Sequence, residues 1–240
     1  MGSNSKQKNK PEKALIILSG GLDSTAALYM SLKNYSITCC VFFNYGQKAY
    51  KEEYKACKRL TSKLKLNLIK IDIPWPNIYS QSALTSKNIV IPELDTSDLK
   101  DKIKLKRTAL QVMVYNRNMI FISIAARIAA ELNCSRLITG FNREEAQTFP
   151  DNSKEFLKSI NKTLNISLKP KKVKVISPTI NMTKKQIVKY CLKKDYSLNT
   201  VYSCYKGERI MCGKCESCVR LRYAVESFCA LKKLKIKMKE

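Results

Sequence analysis

The segment "LIILSGGLDST", residues 15–25, joins an apolar run to two glycines that stand among hydroxyl and carboxyl side chains. A buried strand that leads through a glycine turn into a helix is where parallel α/β proteins bind phosphate. Gly20 and Gly21 allow a tight turn in which backbone N–H groups approach an anion. We therefore predict a phosphate-binding loop, and the residues expected to hold the phosphates are Leu18, Ser19, Gly20, Gly21, Leu22, Asp23, Ser24 and Thr25.

Asp23 is the acidic residue of this loop, and its charge would repel a phosphate. It is expected to bind magnesium, directly or through water, or to cap the helix that follows. A Walker loop needs a lysine just after its glycines, and the dinucleotide fingerprint needs a third glycine where Asp23 stands. "SGGLDS", residues 19–24, instead resembles the pyrophosphate loop of the N-type ATP pyrophosphatases, which activate an oxygen by adenylation and release pyrophosphate.

Four cysteines in the C-terminal part of the chain follow the spacing C-x7-C-x2-C-x2-C, and they are Cys204, Cys212, Cys215 and Cys218. Four thiolates at such short intervals match a tetrahedral zinc site. An iron–sulfur cluster could use similar spacing. Zinc is favoured because nothing else in the sequence indicates redox chemistry. Four sulfur ligands leave no open coordination position, so the predicted role of the metal is structural.

The remaining composition narrows the possible chemistry. Histidine is absent, which excludes histidine acid–base catalysis, Ser-His triads and histidine metal ligands. A secretory signal is not evident, so disulfides are not expected. Five further cysteines lie in apolar or helix-like surroundings and are predicted to be buried as small hydrophobic residues, namely Cys39, Cys40, Cys57, Cys134 and Cys191.

The chain is strongly basic, with 45 Lys and Arg against 19 Asp and Glu and a net charge of +26. The excess is spread along the chain, which favours a solvated lysine-rich surface; a nucleic-acid partner is the alternative. Either way, the field attracts an anionic nucleotide. No apolar run approaches the roughly 20 residues of a membrane helix. We expect a cytoplasmic protein with a disordered, polar lead-in over residues 1–12.

Strand-like and helix-like segments alternate along the chain, which predicts an α/β fold: a parallel, Rossmann-like sheet with helices on both faces. Residues 74–112 break this alternation and are interpreted as a long loop or lid. Thr183 is expected to cap a helix. The predicted strands cover residues 13–18, 37–43, 66–73, 135–141 and 172–178. The predicted helices cover residues 24–33, 50–64, 118–132, about 153–165, 183–194 and a basic segment from about 219.

The phosphate loop and the cysteine spacing together resemble the QueC family of 7-cyano-7-deazaguanine synthases. Intermediate motifs agree, and the resemblance spans roughly residues 13–230. It implies an adenine nucleotide alpha hydrolase-like domain over residues 13–198, a zinc-binding segment with the C-terminal helix over residues 199–240, and a homodimer. The matching motifs are "FFNYGQ" (42–47), "RNMIFISIA" (117–125), "GFNREEAQTFPDNSKEF" (140–156) and "SCYKGERIMCGKCESCVRLRYAVESF" (203–228).

The resemblance implies conversion of 7-carboxy-7-deazaguanine, ammonia and ATP to the 7-cyano base through adenylated intermediates, with Mg²⁺ and a structural Zn²⁺. Arg117 would bind a carboxylate or phosphate; its alternative is a local surface pair. Glu145 and Asp151 would bind magnesium or the N–H edge of the base; their alternative is loop solvation and capping of the helix near 153. The implied substrate-binding residues are Tyr45, Gln47, Arg117, Asn118, Glu145 and Asp151, and Asp23 and Arg117 are the implied catalytic residues.

This sequence departs from the family pattern near the expected base and ammonia pocket. Ala49 follows Lys48 where many members have histidine, Tyr115 and Asn116 precede Arg117, and Asn152 replaces a frequent cysteine. Two further hypotheses therefore stay open. The first is a related adenylating enzyme with another acceptor or substrate, such as a defence-system enzyme that acylates a protein amine, or a relative that thiolates tRNA. The second is a zinc-containing nucleic-acid binder without enzymatic activity.

Overall fold

The computed structural model describes residues 10–73, 81–228 and 236–239. Its centre is a sheet of five parallel strands in the order β3-β2-β1-β4-β5, which confirms the predicted α/β fold. The order reverses direction beside β1, and ligands of such sheets bind at the carboxyl ends of the strands next to this point. The strands are β1 (Glu12–Ile17), β2 (Tyr35–Asn44), β3 (Leu68–Asp72), β4 (Arg136–Ile138) and β5 (Lys174–Ile176).

Helices follow the strands, as the alternation predicted. The helix over 50–64 is confirmed, and Thr183 caps the N-terminus of its helix through a capping box with Gln186. The C-terminal helix begins at Glu216, three residues before the predicted start and directly after Cys215. The helices are α1 (Leu22–Ser31), α2 (Tyr50–Leu64), α3 (Lys102–Val112), α4 (Arg117–Glu131), α5 (Lys154–Ser167), α6 (Lys184–Lys193) and α7 (Glu216–Glu226).

Helices cover both faces of the central strands, and alternate residues of each strand point to opposite sides of the sheet. Leu15 and Val41 pack with apolar residues of α4 and α5 on one face. Ile16 and Phe42 pack with apolar residues of α1 and α2 on the other. This arrangement confirms helices on both faces. The five cysteines predicted as small hydrophobic residues are buried, and they are Cys39, Cys40, Cys57, Cys134 and Cys191.

The interpretation of residues 74–112 as a loop or lid is wrong for its last 11 residues, because residues 102–112 form α3. Asp101 caps this helix by accepting hydrogen bonds from the backbone N–H groups of Ile103 and Lys104, both at 2.9 Å. The sequence concealed the helix because it has a weak apolar stripe: Ile103 is 84% exposed. Residues 74–80 lie outside the described residues.

Two predicted strands are shorter than expected, since β4 and β5 have three residues each instead of the seven of 135–141 and 172–178. The chain leaves β4 because Gly140 packs directly on the first turn of α1. A Cβ atom at Gly140 would lie 2.6 Å from the backbone nitrogen of Ser24, so only glycine fits this contact. Of the predicted lead-in, residues 1–9 lie outside the described residues, and Glu12 already belongs to β1.

The cysteine-bearing segment packs into the main body of the protein. Cys204 and Cys218 belong to one buried cluster with Leu22 of α1 and Ile187 of α6. This places the segment beside the glycine loop at the carboxyl end of β1. Within the described part of the chain, no helix is both long and apolar enough to cross a membrane.

Candidate active site and cysteine cluster

The glycine loop connects β1 to the N-terminus of α1. Gly20 has a φ of +80°, and a Cβ atom there would lie 2.9 Å from the backbone oxygen of Glu53, so this position requires glycine. The Ser19 and Ser24 hydroxyls lie 3.0 Å apart, and the Ser24 hydroxyl also donates to the Gly21 oxygen at 3.3 Å. The loop thus places two hydroxyls at the positive end of a helix dipole, which is favourable for an anion.

Two serine hydroxyls from distant parts of the chain lie near Gly21. A Cβ atom built on Gly21 would lie 3.5 Å from Ser19 Oγ and 3.7 Å from Ser203 Oγ, in ordinary contact with both. Gly21 and both serines line the cavity, so the two hydroxyls can donate to an anion bound at the N-terminus of α1. Gly20 and Thr25 do not line the cavity; the predicted loop residues that do are Leu18, Ser19, Gly21, Leu22, Asp23 and Ser24.

Asp23 forms a buried ion pair that sequence reasoning missed. Lys184, at the start of α6, lies 2.5 Å from Asp23 Oδ2 and 2.8 Å from Glu145 Oε1, and its side chain is 7% exposed. Burial would lower the pKa of Lys184, but the two carboxylates raise it overall, so the ammonium stays charged. Lys184 is one of 45 basic residues, and nothing in the sequence distinguishes it from the others.

The hypothesis that Asp23 caps α1 is wrong, because Gly21 is the N-cap and no side chain makes the capping bond. Burial raises the pKa of Asp23 to about 6, although Lys184 opposes this shift, so the group is ionised at neutral pH. Asp23 Oδ1 is buried and has no hydrogen-bond partner among the residues described. An ionised carboxylate with an unpaired oxygen beside a phosphate site fits a magnesium ligand.

The loop opens into a cavity of about 770 Å³, and all six predicted substrate-binding residues line it. Arg117, the first residue of α4, donates from Nη1 to the Tyr45 hydroxyl at 3.3 Å. Its guanidinium lies 5.6 Å from the centre of the Tyr45 ring. Phe43 and Phe121 stack at 4.3 Å in the same wall. The local partner of Arg117 therefore lies inside the cavity and not on the outer surface.

The other predicted residues hold the cavity wall in place. Gln47 accepts from the Tyr45 N–H at 2.9 Å and donates to the Phe43 oxygen at 3.1 Å. The Asn118 backbone N–H donates to Asp151 Oδ2 at 3.3 Å. Helix α5 is capped by Ser153, so the hypothesis that Glu145 or Asp151 caps it is wrong.

The four cysteines predicted to bind metal come together. Their sulfur atoms all lie within 4.8 Å of one another, and all four side chains are buried. A zinc ion with sulfur ligands at about 2.3 Å separates neighbouring sulfurs by about 3.8 Å, and the Cys212 and Cys218 sulfurs are 3.9 Å apart. Backbone N–H groups of Tyr205 and Cys215 donate to cluster sulfurs at 3.4 and 3.3 Å. The set fits one tetrahedral ion bound by thiolates.

Comparison with known proteins decides the family. The sequence profile described as "Queuosine biosynthesis protein QueC" matches residues 13–228. The chain belongs to the QueC family. A 7-cyano-7-deazaguanine synthase of Methanobrevibacter smithii is 42% identical over 213 residues, which cover 89% of this chain and 92% of that protein. The synthase of Methanosphaera stadtmanae is 43% identical over 212 residues, covering 88% and 92%. That of Pelotomaculum thermopropionicum is 38% identical over 215 residues, covering 90% and 97%.

The predicted QueC resemblance and the enzyme class are thereby confirmed. The positions at which this QueC protein departs from the family pattern gather at the cavity, as the sequence suggested: Ala49, Tyr115, Asn116 and Asn152 all line it. Asn116 has a φ of +60° directly before α4. These departures therefore alter the wall around Arg117, while the glycine loop keeps its pattern.

Glu53 is a second residue that sequence reasoning missed in this QueC site. It lines the cavity from α2, and Gln47 Nε2 donates to its Oε2 at 2.9 Å. Burial raises the pKa of Glu53 to about 7, although the Gln47 hydrogen bond and the charge of Arg117 oppose the shift. Two adjacent glutamates on an amphipathic helix gave no signal that one of them faces the cavity.

This raised pKa makes a pH-dependent prediction. Glu53 has a pKa near 4.5 in the unfolded chain and about 7 in the folded protein. Between these two pH values the folded protein keeps a proton on Glu53, whereas the unfolded chain has released it. Stability contributed by this group is therefore lost as pH rises through that window. Glu53→Gln should raise the melting temperature at pH 8 by roughly 2–4 °C, the equivalent of 1 kcal/mol, and much less at pH 4.5. Calorimetry at both values checks this, with exposed Lys55→Gln as control; an equal shift at both would contradict it.

Proposed function

We propose that the protein converts 7-carboxy-7-deazaguanine and ammonia to 7-cyano-7-deazaguanine at the expense of ATP. The observation that carries this proposal is that the glycine loop and the Arg117 wall open into one cavity. A site for phosphate and a site for a planar carboxylate substrate therefore adjoin. The names of relatives at 42 and 43% identity support this product.

In this proposal the loop binds the departing pyrophosphate. The α1 N-terminus and the Ser19 and Ser24 hydroxyls offer donors, and these hydroxyls exchange their mutual bond of 3.0 Å for bonds to phosphate. Lys184 supplies positive charge next to Asp23, at a point where negative charge accumulates as the α-phosphorus is attacked. Magnesium held by Asp23 would neutralise further phosphate charge.

Arg117 orients the deazaguanine carboxylate. Its guanidinium is positioned by Tyr45, and a carboxylate can accept two parallel hydrogen bonds from it. Glu145 is already paired with Lys184. Asp151 is therefore the better candidate for the N–H edge of the base, since Asn118 occupies only its Oδ2 oxygen. Phe43 and Phe121 provide flat apolar surface for the ring.

The reaction then needs two activations. A carboxylate oxygen attacks the α-phosphorus and pyrophosphate leaves, giving an acyl adenylate. Ammonia attacks the acyl carbon, loses a proton, and AMP leaves with the carboxylate oxygen, giving the amide. The amide oxygen attacks a second ATP and pyrophosphate leaves again. Loss of the remaining N–H protons and departure of AMP form the nitrile. We propose that zinc in the cysteine cluster has only a structural role, since four thiolates leave no open position.

Ammonia is favoured over a thiol relay as the acceptor. Among the nine cysteines in the described ranges, none lines the cavity. A thiolating enzyme would require a reactive thiolate there. The protein-amine acceptor has no supporting contact of its own in the structure.

The proposal is tested with 7-carboxy-7-deazaguanine labelled with ¹⁸O in both carboxylate oxygens, together with ATP, magnesium and ammonium. We expect the nitrile, two pyrophosphates and two AMP molecules, and each AMP should carry one ¹⁸O atom. Mass spectrometry follows all products, and a reaction without ammonium should stop at the acyl adenylate. Unlabelled AMP would contradict adenylation of the substrate, and labelled AMP without nitrile would indicate another acceptor.

A further inference from the structure

Residues on both sides of Cys204, the first cysteine of the cluster, line the cavity beside the glycine loop. Tyr202, Ser203 and Tyr205 line it, while Cys204 between them is buried in the cysteine cluster. The Tyr202 backbone N–H donates to the Gly20 oxygen at 2.9 Å. This bond ties the segment to the glycine loop at the residue before Gly21.

Ser203 is held with its hydroxyl towards Gly21. Its backbone N–H donates to the Met211 sulfur at 3.2 Å, which fixes the main chain. Its Oγ lies 3.7 Å from the point where a Gly21 Cβ would stand, and Ser19 Oγ lies 3.5 Å from the same point. The hydroxyl therefore lies, with Gly21 and Ser19, at the part of the cavity beside the glycine loop.

The Ser203 hydroxyl differs from the two loop hydroxyls in its bonding. Ser19 and Ser24 bond to each other at 3.0 Å, and Ser24 also donates to the loop backbone. In the part of the chain that the structure describes, only the backbone N–H of Ser203 makes a hydrogen bond, and its hydroxyl makes none. A donor that lines the cavity beside the glycine loop without an internal partner can bond to a ligand without first breaking a bond in the protein.

We propose that Ser203 donates a hydrogen bond to a phosphate oxygen of bound ATP, as a nucleotide-binding residue contributed by the cysteine-bearing segment. This inference rests on the proposed use of ATP. Because Ser203 stands between Tyr202, which holds Gly20, and Cys204, which belongs to the cluster, it also couples the two sites. The cluster cysteines would hold a metal, and Cys204, directly after Ser203, would then fix the main chain that carries this hydroxyl.

The test measures binding of a non-hydrolysable ATP analogue with magnesium by calorimetry. A hydrogen bond to a charged group predicts about tenfold to hundredfold weaker binding to Ser203→Ala, and near-normal binding to Ser203→Thr. Ser123→Ala, which removes an exposed serine hydroxyl on α4, is the matched control and should bind normally. Metal content and the affinity for 7-carboxy-7-deazaguanine should stay unchanged in Ser203→Ala.

Wild-type affinity of Ser203→Ala for the analogue would overturn the inference. If that variant is unstable or loses metal, the comparison of Ser203→Thr with Ser203→Val decides, because the two side chains have similar shape and only one carries a hydroxyl. Equal affinities of this pair would also overturn it. Normal binding of the analogue to the wild type without nitrile formation would count against the proposed product alone.

Discussion

Lys184→Met is expected to reduce ATP-dependent turnover by roughly 10³-fold. Loss of one group that stabilises transition-state charge typically costs about 10²–10³ in rate. Here the change also leaves Asp23 and Glu145, which share the ammonium at 2.5 and 2.8 Å, as two neighbouring carboxylates without their cation. Their repulsion opposes binding of the nucleotide anion. Removing one partner of a buried pair also costs about 3–5 kcal/mol of stability. Turnover is measured as AMP release at a temperature where circular dichroism shows the variant to be folded.

The matched control is Lys189→Met, an exposed lysine on the same helix. It should keep normal turnover and melting temperature, because it changes net charge by the same amount without touching the ion pair. Lys184→Arg should recover part of the stability but little activity, since the larger guanidinium does not fit the same two contacts. A folded Lys184→Met protein with near-normal turnover would show that the ammonium is structural only.

The parts of the site that the sequence predicted are contiguous in the chain. The glycine loop carries its hydroxyls, its acid and its turn residues within 19–24, so their spacing alone indicates an anion site. The cysteine cluster spans 204–218, and its predicted metal ligands can be identified from the sequence because they are all cysteines. In both cases the chemistry depends on local geometry, and the structure places the groups accordingly.

The parts that the sequence did not predict depend on contacts between distant segments. Lys184 meets Asp23 across 161 positions of the chain, and lysine is the commonest kind of surface residue here. Ser203 reaches Gly21 only because the Tyr202 N–H bonds to the Gly20 oxygen. No periodicity in either segment reports such a contact. Helix α3 was missed for a different reason, since its capping residue, Asp101, stands before a stretch with few buried side chains.

The two parts of the chain on either side of the predicted boundary between residues 198 and 199 pack together. The segment after 198 shares a buried cluster with α1 and α6 and lines the cavity beside the glycine loop. Because of this packing, a change in the structure of the cysteine cluster is expected to alter the conformation of the glycine loop. Metal binding and nucleotide binding should therefore be lost together when a cluster ligand is removed.

Cys215→Ser is accordingly expected to abolish metal binding and to leave little soluble, folded protein. Cys215 is buried, and its sulfur accepts from the Tyr205 N–H while its own N–H donates to the Cys212 sulfur. Structural zinc contributes about 10–16 kcal/mol to the folding of small zinc domains, which equals or exceeds the roughly 5–15 kcal/mol stability of a typical domain. Elemental analysis, soluble yield and thermal unfolding measure the effect.

Cys39→Ala is the matched control, because it removes a buried thiol in β2 that lies outside the cluster. It should retain one equivalent of metal and lose only about 1 kcal/mol of stability, the scale of a small cavity in the core. Zinc in the wild type supports the proposed ion, and iron would replace that proposal while keeping the site. A soluble, metal-free Cys215→Ser protein that melts like the wild type and binds the ATP analogue normally would refute both the structural role of the metal and its coupling to the loop, because neither the fold nor the hydroxyl of Ser203 would then depend on the cluster.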